Sequence, residues 1–164
     1  MTNSYLIDSN ILLRISRRDD PDYRIVDGAL ERLLKQGSAL YYTHQNIAEF
    51  WNVWTRPADK NGFGLGGETA EREIRKFEGM MKFAADSAAA YDRWRQLVRN
   101  YGVMGIQVHD ARLVAAMLVH GIPNLLTLNV TDFARYADVI TAVHPRSFIE
   151  DPSRTSSVIP RTTE

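Results

Sequence analysis

Cysteine is absent from the 164 residues, which excludes disulfide staples and every thiolate metal site. Long apolar runs are missing too. No stretch approaches the roughly 18 residues of a membrane span, and the opening Met-Thr-Asn-Ser has none of the features of a secretory leader. Lysine is scarce, four residues against 16 arginines, and neither sign of charge is in excess, since 20 basic and 20 acidic residues sum to zero. A globally basic nucleic-acid binder is thereby excluded, and any grip on phosphates has to come from a local patch. The arginine bias is a weak signal, because a GC-rich genome produces it as readily as a need for bidentate phosphate contacts does. The chain is expected to be cytoplasmic and, at its length, to bury a sizeable core as one domain.

What is present alternates between strand and helix signals. Tyr5-Leu6-Ile7 is a short apolar run that ends in Asp8-Ser9-Asn10, the pattern of a buried central strand with polar residues at its carboxyl end. Ser9 or Asn10 is placed to cap a short helix over 11–16. A helix from about 22 carries Ile25, Val26, Ala29, Leu30, Leu33 and Leu34 at helical spacing and stops at Gly37. Residues 39–42 read as a second strand. Thr43 is an N-cap for a helix to about 55, with Ile47, Phe50, Trp51 and Trp54 as its apolar stripe. The stretch 56–67, with Pro57 and four glycines, is a loop or flap. Helices are expected over 68–82, 87–101 and 107–120, the last ending at Gly121. Strands follow at 124–128 and 139–143, with a short helix at 132–136 between them. This order implies a three-layer α/β/α sandwich with a mostly parallel central sheet, one domain over 1–148 followed by a polar tail over 149–164.

Four acids keep unusual company. Asp8 ends a buried strand, where capping the next helix is as good an account as chemistry. Asp110 stands at i of a core stripe whose i+3, i+4 and i+7 are Leu113, Val114 and Met117, and a lone desolvated carboxylate there needs a partner. Its rival reading is the cap of a helix starting at Ala111. Glu49 falls away from the apolar stripe of its helix, so a solvated surface position is its default. Asp132 follows the carboxyl end of the 124–128 strand, again with capping as the competing role. Thr127 and Asn129 add neutral oxygens nearby and serve equally well as turn residues.

In order along the chain, Asp8-Ser9-Asn10, Glu49 within Asn46-Ile47-Ala48-Glu49-Phe50, Asp110 within His109-Asp110-Ala111-Arg112-Leu113, and Thr127-Leu128-Asn129-Val130-Thr131-Asp132-Phe133 resemble the PIN-domain family. The resemblance is especially to the VapC-like toxins of type II toxin–antitoxin pairs and runs over about residues 5–145. The resemblance implies a metal-dependent ribonuclease. Asp8 and Asp110 would be the principal metal ligands, Glu49 and Asp132 would complete the shell or position water, and Ser9 and Asn129 would support the ion from behind. Asn129 stands where many relatives carry Asp. Carboxylate and water oxygens suit Mg²⁺ or Mn²⁺, and acids crowded together favour cation uptake. RNA as substrate, a cognate antitoxin and a homodimer are the implied partners, with no membrane involved.

Two other classes fit parts of the pattern. An aspartyl-phosphate phosphotransferase or phosphatase also places Asp after a first strand, but the haloacid-dehalogenase pattern wants a second Asp where Asn10 stands. A non-catalytic PIN-like binding module is the other. The spacing of His44, His109, His120 and His144 does not suit zinc. Arg14, Arg17, Arg18, Arg56 and Lys60 are candidates for phosphate contacts and otherwise form a solvated charged face. Trp51, Trp54 and Trp94 read as core or interface residues rather than base-stacking platforms. An antitoxin segment could use apolar residues exposed near Ile11, Leu12 and Trp51.

Overall fold

A computed structural model describes residues 3–149; the expected polar tail lies, apart from Ile149, outside the described residues. The centre is a five-stranded parallel sheet in the order β3-β2-β1-β4-β5. Its strands are β1 Ser4–Ile7, β2 Ala39–Tyr42, β3 Lys82–Phe83, β4 Asn124–Leu126 and β5 Thr141–Val143. Tyr5 of β1 sits opposite Leu40 of β2 on one side and Asn124 of β4 on the other. The helices are α1 Ser9–Ile15, α2 Tyr23–Lys35, α3 His44–Thr55, α4 Gly67–Met80, α5 Ala88–Asn100 and α6 Val108–His120. None is long and apolar enough to cross a membrane among the described residues.

Strand alternation divides the interior in two. Tyr5, Ile7, Leu40, Tyr42 and Leu126 face a core shared with Ile11, Leu12, Leu33, Phe50 and Phe77 of α1 to α4. Leu6 and Leu125 face the other way, onto Leu97, Leu113, Val114 and Met117 of α5 and α6. The expected three-layer sandwich is the fold, with every strand pair parallel.

Several local expectations are corrected. β3 is a strand that no apolar run marks, since it has two residues, both exposed; it forms the end of the sheet, and the helix expected over 68–82 stops before it, at Met80. The helix at 132–136 is a 3₁₀ segment, Val130–Tyr136. Asp8 caps α1, while Ser9 is its first residue. Trp51 is 39% exposed and not part of a buried stripe, whereas Ile11 and Leu12, expected to offer a partner an apolar surface, are 0% exposed.

The glycine-rich segment is no free flap. Phe63 N–H donates to Val53 O at 2.9 Å, Gly64 N–H to Arg56 O at 2.8 Å and Leu65 N–H to Trp54 O at 2.9 Å, which ties the segment back onto the end of α3. The Phe63 ring meets Trp54 edge-on at 6.0 Å, and the Arg17 guanidinium lies 4.4 Å over its other side. Gly62 is where the chain crosses closest, since a Cβ there would fall 1.9 Å from Arg56 O. Gly28, inside α2, has nothing within 4 Å of that position. Gly62→Ala is therefore expected to lower unfolding stability by about 1–3 kcal/mol through forced backbone displacement. Gly28→Ala should raise it by about 0.5–1 kcal/mol. Urea unfolding of the two variants checks both signs.

Candidate active site

Parallel strands deliver their carboxyl ends to one edge of the sheet, and ligand chemistry collects where the strand order reverses. Here the reversal falls between β1 and β4. The chain leaves β1 toward β2 and β3, then returns to the far side as β4. Asp8 follows β1 at that edge. α3 starts there because it follows β2, and α6 begins there because it runs back antiparallel to lead into β4. The 3₁₀ segment after β4 supplies Asp132. A cleft of about 320 Å³ is accordingly lined by Asp8, Ser9, Asn10, Glu49, Asn52, Asp110, Asn129 and Asp132, with Leu13, Val53 and Phe133. All four expected acids and both expected supporting residues thus reach one cleft.

Asp8 is 7% exposed and carries two jobs at once. As N-cap of α1 its Oδ1 accepts from Ser9 N–H at 2.7 Å, and its Oδ2 accepts from the Thr127 hydroxyl at 2.7 Å and from Asn10 Nδ2 at 3.3 Å. Asn10 spans the strands, donating to Thr127 Oγ1 at 3.2 Å and accepting from Leu128 N–H at 3.3 Å. Asn10 is therefore a clamp in the position where a phosphotransferase would need its second acid. Asn129, exposed, donates its backbone N–H to Thr127 Oγ1 at 3.0 Å.

Glu49 is not the solvated surface residue that its helical position suggested. It is half-buried and accepts a short hydrogen bond from the Ser9 hydroxyl. Its other oxygen accepts from Gln45 Nε2 at 2.8 Å, and the same amide donates to the His109 carbonyl at 3.0 Å, joining α3 to α6. The start of α3 is fixed by a capping box in which Thr43 and Asn46 satisfy each other's backbone N–H, and Asn46 Nδ2 reaches Ser9 Oγ at 3.4 Å. Gln45 and Asn46 were missed from the sequence. The available signal was their i−4 and i−3 spacing from Glu49 in the first turn after a strand.

Asp110 lies in the first turn of α6, half-buried, and does not cap it, because the helix starts at Val108 with Gln107 at the cap. Asp132 is exposed inside the 3₁₀ segment, so it caps nothing either. Burial pushes the Asp8 carboxyl up to about 6, against the lowering effect of Thr127 and Ser9, with Glu49 and Asp110 adding to the rise. Asp110 is raised by burial and by the charges of Asp132 and Glu49. The acids therefore repel one another across the cleft.

Among the described residues no group of three or more His, Asp or Glu side chains is placed to hold a metal ion between them. The donor chemistry still fits Mg²⁺ or Mn²⁺, which bind through one or two carboxylates and keep much of their water, and Asp8 and Asp110 are raised first by burial and then by the neighbouring acids. Asp8, Glu49, Asp110 and Asp132 line the same cleft, so these are the carboxylates that could hold such an ion.

Of the basic residues proposed for phosphates, none lines the cleft. Arg14 pairs with Asp20 at 2.9 Å, Arg17 with Asp19 at 3.0 Å, and Arg56 donates to Asn61 O at 2.9 Å. The arginine whose charge acts on Asp110 is Arg135, while Arg112, two residues past Asp110, lines the adjoining cleft with Glu49 and Asn52.

A family model of the PIN domain matches residues 5–139. No match is found among curated proteins. Among solved structures, the fold is similar to that of VapBC2 from Rickettsia felis bound to a DNA fragment from its promoter. The two share 15% identity and a TM-score of 0.60, over 86% of this chain and 98% of that one. It is similar also to a toxin–antitoxin complex from Klebsiella pneumoniae, at 22% identity and TM-score 0.59, over 86% of this chain and 97% of that one. A third is Mycobacterium tuberculosis VapC20, a sarcin–ricin loop cleaving toxin, at 16% identity and TM-score 0.58, over 85% of this chain and 98% of that one.

Asp8 gives a pH signature with a definite sign. Its folded value of about 6 lies above the ordinary 3.8. The folded chain therefore holds a proton that the unfolded chain releases, and stability falls as pH rises from about 3.8 to 6. In metal-free protein at pH 7.5, Asp8→Asn should raise the melting temperature, and the difference should vanish below about pH 3.8. A cation must displace the same proton, so Mn²⁺ affinity measured by titration calorimetry should fall about tenfold from pH 7 to pH 5.

Proposed function

The chain belongs to the PIN domain family, and we propose that it is a divalent-metal-dependent endoribonuclease acting as the toxin of a toxin–antitoxin pair. One observation carries this reading. Asp8, Glu49, Asp110 and Asp132, contributed by four separate parts of the chain, line a single cleft at the carboxyl edge of the sheet. The reaction is hydrolysis of an RNA phosphodiester by water, leaving a 3′-hydroxyl and a 5′-phosphate. When bound, Mg²⁺ or Mn²⁺ supplies charge neutralisation at the scissile phosphate and eases deprotonation of water at neutral pH.

The side chains divide the remaining work. Asp8 is held rigid from three directions by Thr127, Asn10 and the Ser9 amide, so its orientation costs nothing when substrate arrives. Ser9 and Gln45 hold one oxygen each of Glu49, which keeps that carboxylate turned to the cleft as the group that positions the attacking water. Asp110, from α6, lies close enough for its charge to act on Asp8, and Asp132 lines the same cleft. Asn129 fixes the loop through its backbone contact to Thr127 and presents its side chain to the cleft as a neutral donor for a phosphate oxygen.

The partners follow from the same reading. The solved toxin–antitoxin complexes of this fold support an antitoxin as the restraining partner, and the sarcin–ricin loop cleaving toxin supports RNA as substrate. A homodimer in the cytoplasm is the working state assigned to it. Of the apolar residues first considered for antitoxin contact, Trp51 is the one that remains exposed.

The test is cleavage of RNA by purified protein, with new 5′ ends mapped. Activity should require added Mg²⁺ or Mn²⁺, disappear with a chelator, and drop by at least about 100-fold in Asp8→Asn or Asp110→Asn, the loss expected when charge stabilisation worth several kcal/mol is removed. Full activity in Asp8→Asn from a nuclease-free preparation would overturn the proposal.

A further inference from the structure

The acid cleft does not end at the acids. Glu49 and Asn52 line both it and a second cleft of about 460 Å³. His109 and Arg112 in turn line both that cleft and a third pocket of about 450 Å³ between α5 and the start of α6. Ala90, Tyr91, Trp94 and Val108 make the walls of the third pocket, and Asp86 with Arg112 its polar side. The three hollows thus adjoin one another in sequence through shared wall residues.

The far pocket is built rather than accidental. Trp94 Nε1–H donates to Val108 O at 2.9 Å, which fixes the indole plane. Tyr91, 55% exposed, sets its ring 6.2 Å from Trp94 at an interplanar angle of 36°, and Arg95 holds its hydroxyl at 3.1 Å. Arg112 and Asp86 are paired at 2.8 Å, offering donors and an acceptor at one side. Aromatic walls with a few fixed polar groups, in a hollow of this size, suit a planar heterocycle. Electrostatics call for such a site. A chain of zero net charge whose reaction centre is a cluster of acids gains little attraction for phosphates, and stacking holds a strand without relying on charge.

We propose that the Tyr91–Trp94 pocket binds a nucleobase of the single-stranded RNA whose neighbouring phosphate lies at the acid cluster. This rests on the nuclease reading above and adds to it a base-binding subsite. Trp94, read from the sequence as a core or interface residue, becomes part of a stacking platform through its neighbour on the next helical turn.

The experiment measures fluorescence anisotropy of a short labelled single-stranded RNA of mixed sequence with the full chain carrying Asp8→Asn, so that no cleavage intervenes. Tyr91→Ala in that background should weaken binding about tenfold, the worth of one stacked base, and Tyr91→Phe should restore it. Met80→Ala, an exposed apolar side chain on α4 outside all three hollows, should bind as the parent does. With active protein, RNAs carrying one abasic residue at successive positions should show a raised KM at one fixed offset from the cleaved bond. That offset dependence should disappear in Tyr91→Ala. Unchanged affinity in Tyr91→Ala together with no sensitive offset overturns the base pocket and assigns the surface to a protein partner, leaving the nuclease reading intact. Absence of both binding and cleavage in the parent protein overturns the nuclease reading, and the base pocket with it.

Discussion

Burial of the Asp8 carboxylate is the constraint around which the structure is arranged. A charged group almost without solvent is unfavourable by several kcal/mol unless its oxygens are occupied, and the fold occupies them from the end of one strand and the first turn of a helix. Thr127 reaches it from the end of β4, the Ser9 amide from the first turn of α1, and Asn10 ties the two together. That arrangement exists only because β1 and β4 are adjacent and in register, with Asp8 N–H bonded to Leu126 O at 3.0 Å. Sheet order, cap and active-site geometry are one interaction seen at three scales.

The other acids are tolerated for a different reason. They stand at the rim, where water and helix N-termini moderate their repulsion. α6 begins at this edge of the sheet with Asp110 in its first turn, so the positive end of its dipole lies beside that carboxylate. Burial raises the Asp8 and Asp110 carboxyls most, and the neighbouring acids add to the rise. Polar residues of the first turn of α3 do the spacing. Gln45 bridges Glu49 to the His109 carbonyl and so sets how far apart the two banks of acids stand.

Much of this was legible in the residues themselves. Apolar runs broken by Asp8 and by Thr127 marked the central strands, and the apolar stripe below Asp110 marked its helix, because burial on both faces leaves strong periodic signals. Convergence of the acids was what the resemblance of their ordered motifs to the PIN domain implied, in keeping with the edge to which parallel strands deliver Asp8 and Asp132. What stayed hidden has physical causes. β3 is two exposed residues whose strand character comes only from pairing with β2. Glu49 looked solvated because its partners, Ser9 and Gln45, are polar and leave no hydrophobic trace. Trp51 read as core on a helical wheel, yet α3 turns that flank outward, toward Gly67. Arg112 was overlooked because its importance lies in which hollows it borders, and no pattern in one dimension encodes that.

The two cores divide the acids between them. Asp8 and Glu49 are flanked by Ile7, Ile11 and Phe50 of one interior, whereas Asp110 and Asp132 are flanked by Ala111, Leu113 and Phe133 of the other. The cleft is thus the seam between two separately packed bodies with a single sheet between them. A repacking substitution on either side, too mild to unfold anything, would slide one pair of carboxylates past the other. The alignment of the four carboxylates is thus a vernier for how the layers of the molecule sit, set by two interiors that contribute none of the acids themselves.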